Sequence, residues 1–236
     1  MRMTDPGSVA RVARLLGDES RTAMVLALLG GDSRTVSELA AEASVGVAAA
    51  SEHVSRLAAA GLVTTQTQGR CKYVRLAGPD VAQLLETLSR FGEEETARSL
   101  GAVRERERFA RARTCYDHLA GRLGVAVLDA MSARRLLARR SGLAVTAPGR
   151  EWFAGLGVDL DLLERGRRPV VRECLDVTER RPHLAGSAAA ALCETFRQRD
   201  WVRALPRSRA LSVTPLGERA LEHLLGIGAG ELRAAG

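Results

Sequence analysis

The second half of the chain carries two copies of a cysteine and histidine pair that could bind metal. Cys115 and His118 are three residues apart, and Cys174 and His183 are nine residues apart. Two thiolates and two imidazoles form a ligand set that suits zinc or another transition metal of borderline softness. The first spacing lets both side chains reach one ion, whereas the second requires an intervening loop. If the four side chains converge, the sequence predicts a metal site.

An internal repeat surrounds both pairs. His-Leu-Ala-Gly occurs at residues 118–121 and 183–186, and Leu-x-Val-Thr occurs at 143–146 and 211–214. Each copy is predicted to contain a helix after His-Leu-Ala-Gly, a short helix or turn, a strand through Leu-x-Val-Thr, and a closing helix that begins with Pro and Gly. This order is winged-helix-like, and it predicts a pseudo-symmetric module that senses a signal or mediates dimerisation.

The packing of the two repeats decides whether the metal site can form. Homologous units that pack about a local twofold axis bring equivalent residues together near that axis. We therefore expect Cys115 to lie near Cys174, and His118 to lie near His183. The aspartate two residues after each cysteine could then orient one imidazole through its second ring nitrogen.

Other interpretations of the same residues stay open. Asp117 and Asp176 could each cap a helix N-terminus behind a buried thiol, which would make the motif structural. Cys115 and Cys174 could form a redox switch, and an organic effector could bind between the repeats. We do not expect an enzyme, because neighbouring residues rarely face one another as a triad requires and no glycine-rich phosphate loop or nucleophile elbow accompanies them.

The most regular pattern in the chain precedes these repeats and predicts two short helices, a tight turn and a hairpin. Thr35 and Glu38 have the spacing of a capping box at the start of the first helix. A three-residue turn separates this helix from the second, Val47 to Ala60, which is predicted to end at Gly61. That order is typical of a winged helix-turn-helix protein.

The second helix is predicted to read the major groove of DNA. Its core face is predicted to contain Val47, Ala50, Val54 and Leu57. The residues expected nearest to the bases are Ala48, Ala49, Ser51, Glu52, His53 and Arg56. The hairpin that follows is predicted to turn at Gln68-Gly69 and to form the wing. Its cations, which are available to phosphate, are Arg70, Lys72 and Arg75.

These residues resemble the ArsR-type winged-helix repressors of bacteria, over about Ser8 to Leu88. Residues 12–21 look like that family's opening helix with its Asp-x-x-Arg junction, 51–54 like its recognition-helix core, and 60–63 like its exit into the wing. The resemblance implies a homodimer built on the first and last helices of the domain, and repression relieved by a signal. The apolar positions expected in that dimer interface are Val9, Val12, Leu15, Leu16, Val81, Leu84, Leu85 and Leu88.

The two metal sites common in that family are absent from this sequence. Many members carry a Cys-x-Cys pair at the first reading helix, where this chain has Thr35-Val36-Ser37. The helix after the wing, Asp80 to Arg90, contains no histidine and cannot supply the imidazoles of the second site. Any signal must therefore be read elsewhere in the chain.

Length and charge favour two domains and a polyanionic partner. The chain has 236 residues, and we predict domains at 1–90 and 115–236 joined by a charged helical connector at 91–114, with repeats at about 115–165 and 174–230. The net charge of +7 favours double-stranded operator DNA. Because neither a membrane-spanning run nor a signal peptide is recognised, we expect a cytoplasmic protein with reduced thiols and no membrane partner.

The sequence thus predicts a mostly α-helical protein with small β-hairpins that regulates transcription. We expect a homodimeric, sequence-specific repressor whose operator binding is modulated through the C-terminal repeats by a metal ion or a small-molecule effector. The alternative is a dimerisation or architectural DNA-binding protein whose C-terminal module senses no ligand. Operator affinity measured with and without an effector would separate these two functions.

Overall fold

The computed structural model describes residues 5–89, 91–92, 99–139, 142–206 and 208–232. The chain divides into two compact units, Met1–Leu88 and Ser89–Gly236. Part of the predicted connector, residues 93–98, lies outside the described residues. Within the described ranges, no helix is both long enough and apolar enough to cross a lipid bilayer.

The N-terminal unit has the order of a winged helix-turn-helix, as predicted. Its elements are α1 (Pro6–Leu16), α2 (Glu19–Ala27), β1 (Arg34–Thr35), α3 (Val36–Glu42), α4 (Val47–Ala59), β2 (Val63–Gln68), β3 (Cys71–Leu76) and α5 (Pro79–Ser89). The three strands form one antiparallel sheet in the order β1-β3-β2. Helices α3 and α4 form the helix-turn-helix pair, and strands β2 and β3 form the wing.

Local capping explains where the two reading helices begin and end. Thr35 Oγ1 accepts a hydrogen bond from Glu38 N at 3.2 Å, and Glu38 Oε2 accepts one from Thr35 N at 2.7 Å, which completes the predicted capping box. Ser44 adopts a left-handed φ of 52° in the turn before α4, and Gly61 follows α4 at φ 73°. Glycine adopts this left-handed conformation more readily than other residues, and Gly61 ends α4.

The inner face of α4 is one residue shorter than predicted. Ala50, Val54 and Leu57 are buried as expected, but Val47 is 54% exposed. Side chains of a helix tilt toward its N-terminus, so Val47 points past the turn at Gly46. Among the described residues, a Cβ atom at Gly46 would meet nothing within 4 Å, so there is open space beside the start of α4.

The junction between α1 and α2 is held by Asp18 and Arg21. Asp18 caps α2 by accepting a hydrogen bond from Arg21 N at 2.9 Å. The Arg21 side chain then turns back and donates from Nε to Leu15 O at 2.8 Å, at the carboxyl end of α1. The Asp-x-x-Arg motif therefore satisfies one backbone donor of α2 and one backbone acceptor of α1.

The C-terminal unit repeats one order of elements twice. After α6 (Leu100–Arg111), the first repeat contains β4 (Arg113–Cys115), β5 (His118–Ala120), α7 (Gly121–Ala133), β6 (Leu137–Arg139), β7 (Leu143–Val145) and α8 (Ala147–Gly155). After α9 (Leu160–Glu164), the second repeat contains β8 (Arg172–Leu175), β9 (Pro182–Ala185), α10 (Ser187–Gln198), β10 (Val202–Ala204), β11 (Leu211–Val213) and α11 (Pro215–Leu225). Each repeat is thus a hairpin, a helix, a second hairpin and a second helix. The sequence predicted the helices and the Leu-x-Val-Thr strands. It did not predict the first hairpin, or the strands β6 and β10 that pair with the Leu-x-Val-Thr strands where a short helix or turn was expected.

The repeated Thr-x-x-Gly motif brings each closing helix close to a backbone carbonyl. Thr146 Oγ1 accepts a hydrogen bond from Gly149 N at 3.1 Å, and Thr214 Oγ1 accepts one from Gly217 N at 3.0 Å. A Cβ atom at Gly149 would lie 2.1 Å from Leu136 O, and one at Gly217 would lie 2.1 Å from Trp201 O. One hydrophobic core contains residues of both repeats, including Phe153 and Phe196.

Candidate metal centre

Two antiparallel hairpins present the predicted ligands. In β4–β5, Cys115 lies directly opposite His118, and in β8–β9, Cys174 lies directly opposite His183. Side chains of directly opposite residues in an antiparallel pair point to the same face. Each hairpin therefore offers one sulfur and one imidazole on one face, although their connecting loops differ in length.

The four predicted ligands converge, as the repeat suggested. Cys115 Sγ lies 3.9 Å from Cys174 Sγ, and His118 Nε2 lies 3.1 Å from His183 Nε2. One ligand atom from each of the four residues lies within 4.8 Å of all the others. All four side chains are buried, and none of these residues is more than 3% exposed.

These separations agree with a tetrahedral metal ion. Bond lengths of about 2.3 Å to sulfur and about 2.0–2.1 Å to nitrogen place the two sulfurs of a tetrahedral zinc site about 3.8 Å apart, and the two nitrogens about 3.3 Å apart. The observed sulfur and nitrogen separations are 3.9 Å and 3.1 Å. The side chains would need little movement to bind such an ion.

The second nitrogen of each imidazole lies beside a carboxylate. His118 Nδ1 lies 3.2 Å from Asp117 Oδ1, and His183 Nδ1 lies 3.2 Å from Asp176 Oδ2, although the second pair lacks the alignment of a hydrogen bond. Carboxylates at Nδ1 favour a proton on that nitrogen and leave a lone pair on Nε2. The two Nε2 atoms lie 3.1 Å apart, a separation at which they can share a proton or bind one cation between them.

Asp176 is held by a fully buried network. One carboxylate oxygen accepts from Arg113 Nη2 at 2.7 Å and the other accepts from Gly121 N at 2.7 Å. Burial by itself would raise the pKa of Asp176, but the His183 imidazole and the Arg113 guanidinium hold it well below its usual range. Gly121 begins α7 in the other repeat, so Asp176 binds a helix-start amide across the repeats while also facing His183. Neither aspartate is the N-cap of a helix that follows its own cysteine, which corrects the structural interpretation.

Asp117 has fewer partners and is partly exposed. Its carboxylate receives two hydrogen bonds from the Arg168 guanidinium, one of them 2.9 Å between Nη2 and Oδ1. Burial by itself would raise the pKa of Asp117, but His118 and Arg168 lower it to about 2. Burial also disfavours a charged imidazole at His183, yet Asp176 and Cys115 outweigh it and raise the pKa of His183.

The charges around the site determine which cation it can hold. Asp176 is paired with Arg113, and Asp117 with Arg168, so the outer charges cancel. Two thiolates and one divalent cation would then form a neutral centre, which limits the cost of burying the charges. The arrangement is therefore compatible with a divalent ion that accepts sulfur and nitrogen in tetrahedral geometry.

Neither arginine was predicted from the sequence as part of the site. Arg113 could have been found, because Arg-x-Cys-x-Asp occurs at residues 113–117 and again at 172–176. Arg168 belongs to no repeated motif, and only the fold brings it to Asp117. The remaining cysteines lie outside the set: Cys71 is exposed on the wing, and Cys193 is buried in α10.

The predicted base-reading residues differ in their exposure. Ala48, Ala49, Glu52 and Arg56 are exposed, whereas Ser51 and His53 are half-buried. His53 Nδ1 lies 3.4 Å from Arg21 Nη1, at the helix junction. Arg56 forms an ion pair with Glu52 one turn away at 2.5 Å, so each charge partly neutralises the other before DNA is present.

The wing places its three predicted cations differently. Gln68 pairs with Cys71, so the turn is Gly69-Arg70, one residue later than predicted. Arg70 is exposed in this turn. Arg75 Nε donates to Thr64 Oγ1 at 3.2 Å across the hairpin. Lys72 is half-buried and lies on the opposite face of β3 from Arg75, because side chains alternate along a strand.

The apolar face predicted for dimer formation is mostly accessible in one chain. Val9, Leu84 and Leu88 are exposed, and Val12, Leu15, Leu16 and Val81 are half-buried. Leu85 is 3% exposed, so its place in that face was wrong. It points into the core of its own unit, because it is adjacent to Leu84 on a helix and therefore turned about 100° away.

Two comparisons with known proteins match this chain, one over its N-terminal region and one over most of its length. A family model of a helix-turn-helix domain matches residues 5–66. The uncharacterized HTH-type transcriptional regulator YdfF of Bacillus subtilis (strain 168) is 33% identical over 221 residues, which cover 93% of this chain and 98% of that protein. The match therefore includes both units.

Similar solved structures cover a smaller part of the chain. The homodimeric winged helix-turn-helix DNA-binding domain of a possible ArsR-family transcriptional regulator from Mycobacterium bovis is 28% identical over 38% of this chain and 87% of that chain, with a TM-score of 0.33. The cadmium metal-sensor CMTR from Mycobacterium tuberculosis is 31% identical over 38% of this chain and 94% of that chain, with a TM-score of 0.31.

Proposed function

This chain belongs to the family of helix-turn-helix transcriptional regulators, and we propose that it is a homodimeric repressor that releases its operator when a divalent metal ion binds to the C-terminal unit. The ligands are Cys115, His118, Cys174 and His183. Zinc is the first candidate, because it accepts two thiolates and two imidazoles in a tetrahedral arrangement.

One observation supports the proposal that the C-terminal unit binds a metal signal. The two sulfurs and two imidazole nitrogens come from different repeats, yet they lie within 4.8 Å of one another with separations close to those of a tetrahedral site. A bound ion would join β4–β5 to β8–β9, so it would favour one arrangement of the two repeats. A ligand that favours one arrangement can change the affinity of a distant site.

The DNA-binding part of the proposal assigns α4 to the major groove and the wing to the phosphates. The exposed surface of α4 offers two alanines near its start, Ala48 and Ala49. Methyl contacts and DNA shape would therefore contribute to specificity, together with the polar groups of Glu52 and Arg56. Two copies of this unit would read the two halves of a palindromic operator.

Metal binding is tested by native mass spectrometry of the full chain after incubation with zinc and removal of the excess. We expect one ion per chain in the wild type and none in Cys115→Ser or His183→Ala. Cys71→Ser is the matched control, because this cysteine is exposed and lies in the other unit. Wild-type protein that retains no zinc would refute the proposed site.

Control of DNA binding is tested on duplexes selected from a random library with zinc-free protein. We expect zinc to weaken the binding of the wild type by about 5- to 150-fold, the usual range of allosteric coupling. The affinity of His183→Ala for the same duplex should not change when zinc is added. A wild type that binds zinc but keeps its DNA affinity would instead favour an architectural role for the C-terminal unit.

A further inference from the structure

The two halves of the metal site differ in their access to solvent. The side chains of Arg113 and Asp176 are 1% and 0% exposed. The side chains of Arg168 and Asp117, the ion pair on the other half, are 23% and 30% exposed. Solvent therefore reaches the site on the side of the Asp117–Arg168 pair, and an ion from solution would approach from that side.

The exposed half also carries two ligands on one short turn. Tyr116 and Asp117 are the only residues between Cys115 and His118, and Tyr116 adopts a left-handed φ of 60°. A displacement of this turn would move a sulfur ligand and a nitrogen ligand together. Both side chains follow their backbone, so the opening of one turn could release half of the coordination sphere.

The other hairpin cannot open in this way without breaking a buried network. Asp176 Oδ1 accepts hydrogen bonds from Thr178 N at 2.9 Å and from Glu179 N at 3.1 Å, besides the bonds to Arg113 and Gly121. Buried polar groups that lose their partners are costly because water cannot replace them. The bonds from Arg113 and Gly121 also hold the outer ends of β4–β5, so only the turn between Cys115 and His118 lies outside this network.

Arg168 is attached to a firmly held segment of backbone. Pro169 O accepts from Ser187 N at 3.0 Å, and Val170 O accepts from Ala188 N at 2.9 Å, at the start of α10. The Arg168 side chain extends from this anchor to the Asp117 carboxylate. The ion pair thus ties the turn of the first repeat to a backbone segment of the second repeat that is held by α10.

We propose that metal enters and leaves the site past the Asp117–Arg168 ion pair, and that Arg168 is a positioning residue that keeps the turn closed and limits the rate of exchange. This inference rests on the proposed function, since it requires that the site binds metal. Arg168 is no ligand; it acts through Asp117 and the turn. Its removal should speed both the entry and the exit of the ion.

The test compares Arg168→Gln with the wild type in the full chain, with zinc as the probe. Association is followed by stopped-flow competition with a chromophoric chelator, and dissociation by transfer of bound zinc to excess chelator. We expect both rate constants to rise about tenfold, a factor that corresponds to about 1.4 kcal/mol. The dissociation constant should then stay within about threefold. Arg167→Gln is the matched control, because it removes the same charge from an exposed neighbouring side chain.

The outcomes separate this inference from the proposed function. If only the dissociation rate rises in Arg168→Gln, then Arg168 merely orients a ligand, and the proposed route is wrong. Equal rates in both variants and the wild type would also overturn it. Arg168→Lys should restore part of the slow exchange, since it keeps a cation near Asp117. If the wild type binds no zinc, the proposed function fails, and this inference fails with it.

Discussion

The substitution Asp176→Asn should reveal how much the buried ion pair stabilises the C-terminal unit. Asparagine has nearly the same shape as aspartate, so it leaves no cavity, but it removes the negative charge opposite Arg113. The guanidinium would then remain 1% exposed without a counter-charge. Removal of one partner from a buried pair costs about 3–5 kcal/mol.

The same substitution in the other repeat is a matched comparison. Asp117 occupies the equivalent position, but its side chain is 30% exposed and that of Arg168 is 23% exposed. Water can therefore solvate the arginine after Asp117→Asn. We expect a loss of about 1 kcal/mol, the upper end of the range for surface pairs.

Tryptophan fluorescence provides a specific assay. Both tryptophans of the chain, Trp152 and Trp201, lie in the C-terminal unit. Urea titration in the presence of a chelator would therefore follow the unfolding of this unit without bound metal. With a slope of about 2 kcal/mol per molar urea, Asp176→Asn should lower the midpoint by about 2 M and Asp117→Asn by about 0.5 M.

A loss for Asp176→Asn that is no greater than the loss for Asp117→Asn would refute this reasoning. It would mean that Arg113 finds another partner or reaches water. Arg113→Met combined with Asp176→Asn provides a second check. Because the double variant leaves no buried charge, it should recover part of the stability that the single variant loses.

Four further outcomes are expected. Simultaneous replacement of the three wing cations by alanine should weaken binding to all DNA sequences alike. The slope of log affinity against log salt concentration should fall by about one for each phosphate interaction removed. Unchanged binding would contradict the wing assignment. The three positions are Arg70, Lys72 and Arg75. Gly217→Ala should destabilise the C-terminal unit by about 1–3 kcal/mol in thermal unfolding, because its Cβ would lie 2.1 Å from Trp201 O, whereas Gly155→Ala, with open space around it, should not. Burial raises the pKa of the Cys193 thiol to about 11, so this thiol should resist alkylation at pH 8 until the protein is unfolded. Because the pKa of Asp117 is lowered to about 2 from 3.8, its stabilising contribution should be complete above about pH 4 and disappear between about pH 4 and 2 in acid titrations.

Prediction from the sequence succeeded best where short-range contacts decide the structure. The capping box at Thr35 and the glycine after α4 act within a few residues, so their patterns located the reading helices almost to the residue. The helical spacing of apolar residues misplaced Val47 and Leu85. Their burial depends on which neighbours surround each end of a helix, and helical spacing alone does not contain that information.

The hairpins that carry the ligands gave a weaker local signal. The turn between β4 and β5 uses Tyr116 in a left-handed conformation, where glycine or asparagine would have indicated a tight turn. The strands that flank it are three residues long. Such short elements are stabilised by their tertiary contacts, so the sequence did not reveal that each cysteine lies opposite its histidine.

The sequence by itself determined which chemical groups the site can use. The repeated motifs contain two cysteines, two histidines and two aspartates in the same order. Duplication of a unit implies that equivalent groups can meet near the twofold axis between the copies. Distances and charge balance required the fold, because Arg113 reaches Asp176 and Arg168 reaches Asp117 across 63 and 51 residues. Such long-range pairs depend on the relative position of the two repeats, which share one hydrophobic core. The difference between a sealed half and an accessible half of the site is therefore a property of tertiary packing.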